Sequence, residues 1–451
     1  MKKRILSIII AIVVLLSFAG CSSNEGNSSE QVTSETLSTD TSTPTSSSDS
    51  VSDGSLSSVD DAIQSNQNID LNELKGTVVK VLMWRELTDQ EKTTINNFEK
   101  NYSIKVEVEE APLDSSAYMT KLSSLMAAGD APDVAVQSSF PLGSASAFQP
   151  VDVTKQDLND SIWDLELMSK YKIKGYNYVF IANGNWYDNY GIVVFNEDMF
   201  KADGIKTPYE LWKEGNWNWD TLKSTATALT KKGHEYGFIS HVADNWMLSA
   251  NTGIVTYDGT SFTNSLTSQS TIKAWTFYSQ MVEEGLMPTG QDYSFNRGET
   301  GMMGINSWVM LKGQYLRDCS FNWMCVPFPS PKGSETVIPL YSNLFGIVKG
   351  SENPVGAGVF LRYFLDPSNN GDFAERAIDK DFEEIFNYMN QRSVKKAVSY
   401  VDGVVGFTNA SGQDSLYNDL QSSKSAQITT VLQKYKSVVD NSVNNVNKRI
   451  G

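Results

Sequence analysis

Four short stretches of this chain set aromatic rings beside planar polar side chains: Trp84-Arg85-Glu86, Asn185-Trp186-Tyr187-Asp188, Asn245-Trp246 and Asn306-Ser307-Trp308. Rings offer flat apolar faces, while amides and carboxylates offer donors and acceptors in fixed planes. The combination suits a ligand with C–H faces rimmed by hydroxyls, which is the surface of a sugar. Covering about 50 Å² of one ring face is worth roughly 1 kcal/mol. Several faces with a few charge-assisted hydrogen bonds reach micromolar affinity. Each stretch also has a plainer reading: a solvated loop with a surface ion pair for Trp84-Arg85-Glu86, a structural hydrogen bond for Tyr187 and Asp188, and core packing for Trp246 and for Trp308.

Catalysis finds little footing. Glu86 and Asp188 are the carboxylates a glycoside hydrolase would need, about 5 to 10 Å apart with one pKa raised, but sequence shows neither separation nor pKa. Two histidines, His234 and His241, make a nucleophile triad a poor expectation, and no GxSxG, Walker or Rossmann fingerprint stands in a fitting context. No HExxH or CxxC pattern occurs, so neither a metal nor another cofactor is expected. Cys319 and Cys325 can bridge only across a turn, because six residues of straight strand span about 20 Å.

The elements that carry these residues begin well inside the chain. Lys2, Lys3 and Arg4 precede an apolar run, Ile5 to Phe18, and then Ala19-Gly20-Cys21. This is the layout of a secretory signal, shorter than the roughly 20 apolar residues that span a bilayer. Leu16-Ser17-Phe18-Ala19-Gly20-Cys21 resembles the bacterial lipobox, which implies cleavage after residue 20 and acylation (palmitate-type chains) of Cys21. The expected location is the extracytoplasmic face of the cell membrane. Residues 21–72 are then a disordered Ser/Thr-rich tether, about 35 to 40 Å across on average.

Beyond residue 72 the composition is globular, with ten Trp, nineteen Tyr and twenty Phe in the whole chain. About 375 residues exceed what one core holds, so two domains are expected. The formal net charge is −16, and loss of the leader makes it three units more negative. Nucleic acid is therefore no partner.

Strands and helices alternate. Thr77–Trp84 reads as a buried strand, Thr88 to Glu91 as a capping box before a helix bearing Ile95 and Phe98, and Ile104–Val108 as the next strand. A helix from about Ser116 ends at Gly129, and Pro132-Asp133 opens the strand Val134–Val136, the start of a parallel sheet. Tyr190–Phe195 is a strand, Thr207-Pro208 starts a helix, and Asp220 is expected to cap another. Ser270–Glu284 is helical, Phe345–Val348 a strand, Asn353-Pro354 a helix start, and the last helix runs from about Ala426 toward Ile450.

Six segments in order carry a resemblance: Phe98-Glu99-Lys100-Asn101-Tyr102 before a Lys-Val-Glu-Val strand, Gly129 to Val134, Val194 to Phe200 followed by Trp217-Asn218-Trp219-Asp220, Gly298 to Met303, Val326-Pro327-Phe328-Pro329, and the terminal Asn447-Lys448-Arg449-Ile450. Together, over about residues 78–450, they resemble extracellular solute-binding protein family 1, the maltose-binding-protein-like receptors of ABC importers. The resemblance implies an α/β, two-lobe, periplasmic-binding-protein-like fold of type II, with a ligand cleft between lobes joined by crossing hinge strands. The chain would cross near Asp188–Ile192 and Pro339–Asn343, giving one lobe of 75–188 with 343–395 and another of 189–342 with 396–451.

The family placement implies that Trp308 stacks on ligand, and adds Gln137, Ser138, Tyr341 and Asn343 to the candidates Trp84, Arg85, Glu86, Trp186, Tyr187, Asp188, Asn245, Trp246 and Asn306. Trp212, Trp217 and Trp219 are assigned to scaffold. Two segments depart from the family: Ser307 replaces the usual glycine before Trp308, and Gln137-Ser138-Ser139 lacks the carboxylate and arginine of the maltose receptor. The implied function is capture of a mono- or oligosaccharide by a monomeric, lipid-anchored receptor that delivers it to ABC importer permease subunits. A sensor or adhesion lipoprotein, or a receptor for peptide or polyamine, is the alternative.

Overall fold

The computed structural model describes residues 69–111, 115–137, 147–185, 187–290, 292–310, 316, 319–371, 382–401 and 413–450. The leader, Cys21 and most of the proposed tether lie outside the described residues.

Two sheets organise the chain. The first has the order β2 (Lys105–Glu110), β1 (Val78–Met83), β3 (Val134–Gln137), β12 (Leu344–Val348) and β4 (Phe148–Gln149). β1 runs parallel to β2 and β3, while β12 is antiparallel to β3. Strand β1 is apolar because both its faces are covered. Val79, Val81 and Met83 join the cluster of Phe98 on helix Asp89–Tyr102, and Leu82 joins that of Tyr118 and Leu122 on helix Ser115–Ala128. The Thr88/Glu91 capping box is present. Asp133 ties the sheet to its return crossing, accepting from the backbone N–H of Lys80 at 2.8 Å and of Asn353 at 2.9 Å. The Tyr118 hydroxyl donates to the Leu82 carbonyl and accepts from the Val136 N–H, both at 2.8 Å, taking the place of the next rung between β1 and β3. The two strands therefore part at their carboxyl ends.

The second sheet has the order β13 (Lys395–Val398), β11 (Val337–Ser342), β5 (Asp188–Asn196), β9 (Met302–Asn306) and β6 (Phe238–Ser240), with β10 (Trp323–Pro327) also on β5. β5 pairs with β11 over its first residues and with β10 over its last. β6 and β9 are parallel, so their carboxyl ends share one edge. A separate hairpin joins β7 (Val255–Tyr257) and β8 (Phe262–Asn264).

The sheets meet where β5 begins and β11 ends: Asp188 faces Ser342 and Tyr190 faces Leu340 in the antiparallel register. Gly191 is required there, because a Cβ would sit 2.7 Å from Pro339 Cβ and 2.8 Å from Asn245 Oδ1.

Two expectations change, and one open question closes. Asn218, not Asp220, caps helix Trp219–Lys231, accepting from the N–H groups of Asp220 and Thr221. An amide two residues earlier reaches both orphan donors, whereas Asp220 sits inside the first turn. Helix Glu383–Asn390, placed with the first lobe by sequence, packs on the second sheet: Trp212 meets Tyr388 at 5.3 Å and Tyr190 meets Phe386 at 6.5 Å. No bridge joins Cys319 and Cys325; Cys325 is buried on β10 in register with Val194.

Candidate functional site

Several of the described residues singled out by sequence lie at the crossing or at strand carboxyl ends, where open α/β sheets form crevices. On the first-sheet side, the end of β1 leads into Trp84 and Arg85. Trp84 meets the Tyr187 ring edge-on at 6.2 Å, and the Arg85 guanidinium lies 4.8 Å over the indole. Arg85 is not an open donor. Its two terminal nitrogens bond both carboxylate oxygens of Glu91 at 2.8 Å, and Nη1 also donates to the Glu86 carbonyl at 2.8 Å. Glu91 is fully buried and further accepts from Tyr187 Oη at 2.6 Å and the Thr88 N–H at 2.7 Å. Burial works against its charge, but the Arg85 bonds and charge, with the Tyr187 and Thr88 bonds, hold its pKa below the usual carboxylate value. Glu86 turns to solvent, 3.2 Å from Lys92, a pair worth little.

At the crossing itself Tyr187 and Asp188 are buried. Tyr187 accepts the Asn343 N–H through its carbonyl at 3.3 Å, and Asp188 accepts from Ser342 Oγ at 2.6 Å. Burial pushes the Asp188 carboxyl up to about 7; Asp164 adds to the rise, while Ser342, Lys396 and Tyr190 oppose it. Lys396 is pulled below its usual value by burial, against the attraction of Asp164 and Asp188. The Tyr190 hydroxyl bonds Asn390 Oδ1, joining the return segment to the hinge. Gln137 ends β3 opposite Leu344. Ser138 and Trp186 lie outside the described residues.

The second-sheet side is built from amides and hydroxyls. Tyr341 Oη donates to Asn245 Oδ1 at 3.2 Å, and Asn245 Nδ2 donates to Asn306 Oδ1 at 3.2 Å. Trp308 follows on a single 3₁₀ turn with 41% of its surface exposed. Its backbone N–H donates to Asn189 Oδ1 at 2.9 Å, and Ser307 Oγ donates to the same oxygen at 3.3 Å. Two donors on one oxygen orient the Asn189 amide. Among the described residues, neither the Asn189 nor the Asn306 amide nitrogen donates a hydrogen bond. At the end of neighbouring β6, His241 Nε2 lies 2.7 Å from the Asp292 carbonyl, and its ring meets the exposed Tyr293 edge-on at 5.7 Å. Burial keeps His241 below its ordinary pKa, against the Asp292 bond and charge.

Several sequence assignments are corrected. Trp246 is core: it is 1% exposed, packs among Trp219, Phe238, Phe277 and Phe328, and spends its N–H on Ser240 Oγ at 3.2 Å. The helix Asp244–Ser249 turns it away from the strand ends that carry Asn306. Asn245 is wholly buried and supports Asn306 from behind. Tyr187 and Asp188 serve the hinge, and Arg85 is held by Glu91. Trp219 is fully buried, whereas Trp212 and Trp217 border a separate surface depression of about 320 Å³ that shares no lining residue with the crossing. Sequence reasoning missed Asn189 and read Glu91 only as a cap. An amide one residue into a strand carries no local signal, and the partners of Glu91 lie as far as 96 residues away.

The arrangement can hold an uncharged ligand that has one apolar face for Trp308 and acceptor oxygens for two amide donors.

The family model described as bacterial extracellular solute-binding protein matches residues 93–379. No curated protein matches the chain significantly. Among solved structures, it is similar to the galacto-N-biose-/lacto-N-biose I-binding protein of the ABC transporter from Bifidobacterium longum, solved in complex with lacto-N-biose: TM-score 0.63 and 14% identity, over 82% of this chain and 97% of that one. A cyclic alpha-maltosyl-1,6-maltose binding protein from Arthrobacter globiformis gives TM-score 0.60 and 15% identity over 83% and 98%. An ABC substrate-binding protein from Listeria monocytogenes in complex with cycloalternan gives 0.57 and 18% over 83% and 99%. At these identities the likeness establishes the two-lobe α/β fold.

Proposed function

This chain belongs to the bacterial extracellular solute-binding proteins, and from that premise we propose that it captures a mono- or oligosaccharide between its lobes and delivers it to an ABC importer. One observation carries the reading. Around the crossing the ionisable side chains Arg85, Glu91 and Asp188 are bonded to their own neighbours, leaving the Trp308 ring and the Asn189 and Asn306 amide nitrogens for ligand. Hydroxyls satisfy amide donors without bringing charge, whereas a peptide or polyamine presents ammonium groups that need an unpaired carboxylate. The saccharide ligands of the Bifidobacterium and Listeria proteins support the same class.

Binding works by closure. A ligand touching both lobes binds the closed arrangement better and shifts the population toward it. The lobes divide at Asp188 and at Asn343, with the 382–390 segment on the second. The family description supports an extracytoplasmic site of action, and a lipid on Cys21 would hold a monomeric receptor there. No helix among the described residues is long and apolar enough to cross a membrane. The role assigned is binding without catalysis.

The test is melting temperature against mono-, di- and oligosaccharides, peptides and polyamines. A ligand at 100 times its dissociation constant adds about 2.7 kcal/mol, and a shift confined to one glycan class is expected. Shifts only with peptides or polyamines would overturn the carbohydrate reading.

A further inference from the structure

We propose that Glu91 sets the charge specificity of the cleft: it holds the Arg85 guanidinium off the ligand, so that neutral saccharides are accepted and their uronic-acid counterparts are refused. This rests on the carbohydrate reading above. Arg85 stands one residue beyond Trp84 at the carboxyl end of β1, and its planar fork matches a carboxylate. Left free there, it would bind the carboxylate of an acidic sugar. Glu91 occupies the fork instead, with two parallel bonds of 2.8 Å.

The latch cannot swing outward with its partner. The same carboxylate closes the capping box through the Thr88 N–H and accepts from Tyr187, whose carbonyl in turn receives the Asn343 N–H. Four donors from three directions therefore fix Glu91, and Glu91 fixes Arg85. The guanidinium also covers one face of Trp84, leaving that arginine a part of the indole's setting rather than of the ligand shell. Stability alone is a poor account of the arrangement, since a buried ion pair is often replaceable by apolar residues without loss.

The experiment uses the purified protein and two readouts. In the first, phenylglyoxal modification is followed by peptide mass. Arg85 should react at least fivefold more slowly than Arg297, which is more than half exposed, and Glu91→Gln should bring its rate close to that of Arg297. In the second, affinities are measured for neutral mono- to trisaccharides and for the same sugars ending in a uronate. Wild type should favour the neutral member of each pair at least tenfold. Glu91→Gln should raise the uronate-to-neutral ratio about tenfold, and Arg85→Gln/Glu91→Gln should return it to the wild-type value. A uronate that binds wild type as tightly as its neutral partner overturns the proposal, as does a wild-type Arg85 that reacts like Arg297. A folded Glu91→Gln protein with an unchanged ratio also overturns it. If no saccharide of either kind binds wild type, the carbohydrate reading falls and the specificity claim with it; the ligand-free reactivity comparison then still decides whether the latch exists.

Discussion

At the first-lobe corner of the crossing, Arg85, Glu91 and Tyr187 use one another's hydrogen-bonding capacity, whereas at the second-lobe corner Asn189 and Asn306 keep amide donors beside the exposed ring of Trp308. Both corners have an indole, a polar partner and a strand end. They differ in where the polar groups are spent. Charges are costly to bury and so are driven onto partners within the protein, while a neutral amide such as the half-buried Asn189 can keep a donor unspent at far lower cost, and buried Asn306 is held through its oxygen by Asn245. Residue type alone would rank Arg85 above Asn189 as a ligand contact, and the geometry reverses that order.

The contrast between the two candidate tryptophans offers the largest effect. Replacing Trp246 with Ala should cost about 3 to 5 kcal/mol by leaving a cavity in the second-lobe core, read as a lowered urea midpoint. An unchanged midpoint would move Trp246 back toward the ligand. Next, the hinge between the corners should respond to pH through Asp188. Its native pKa, about 7, stands above the unfolded value of about 3.9. Its contribution to stability is therefore complete below about pH 4 and lost as pH rises through 7, on the order of 4 kcal/mol. Denaturant titrations from pH 4 to 8 should show that decline in wild type and a flatter profile in Asp188→Asn. A third substitution, Gly191→Ala, should destabilise by about 1 to 3 kcal/mol, because the added methyl meets Pro339 and Asn245; calorimetry at neutral pH measures it. The smallest effect separates binding from folding. Trp308→Ala should weaken the ligand by roughly fivefold, about 1 kcal/mol of stacking, and leave unliganded stability within about 0.5 kcal/mol. Titration calorimetry beside thermal melting tests both halves.

Much of the fold was legible because its signals are local. The Thr88 capping box, the helix start at Thr207-Pro208, the Gly129 helix end and the alternation of strand and helix each lie within a few neighbouring residues. The Asp220 assignment failed at this scale because Asn218 lies within the same reach and competes for the same donors. Helix Glu383–Asn390 failed for another reason: sequence order places it after first-lobe elements, while its Phe386 and Tyr388 find their apolar partners on the second sheet.

The candidate site was legible as a set of residue types and no further. Trp246 and Trp308 both follow an asparagine within two residues, yet one is core and the other exposed. Sequence alone determined the alternation of elements, the caps that start and end them, and the apolar faces that must be covered, since these depend on backbone geometry and side-chain period over a turn or a strand. Tertiary structure decided which polar groups were consumed. Glu91 meets Tyr187 and Asn189 meets Trp308 across long loops of chain, and whether a side chain is spent or open depends on every group within about 3 Å of it, which only the packed lobes bring together.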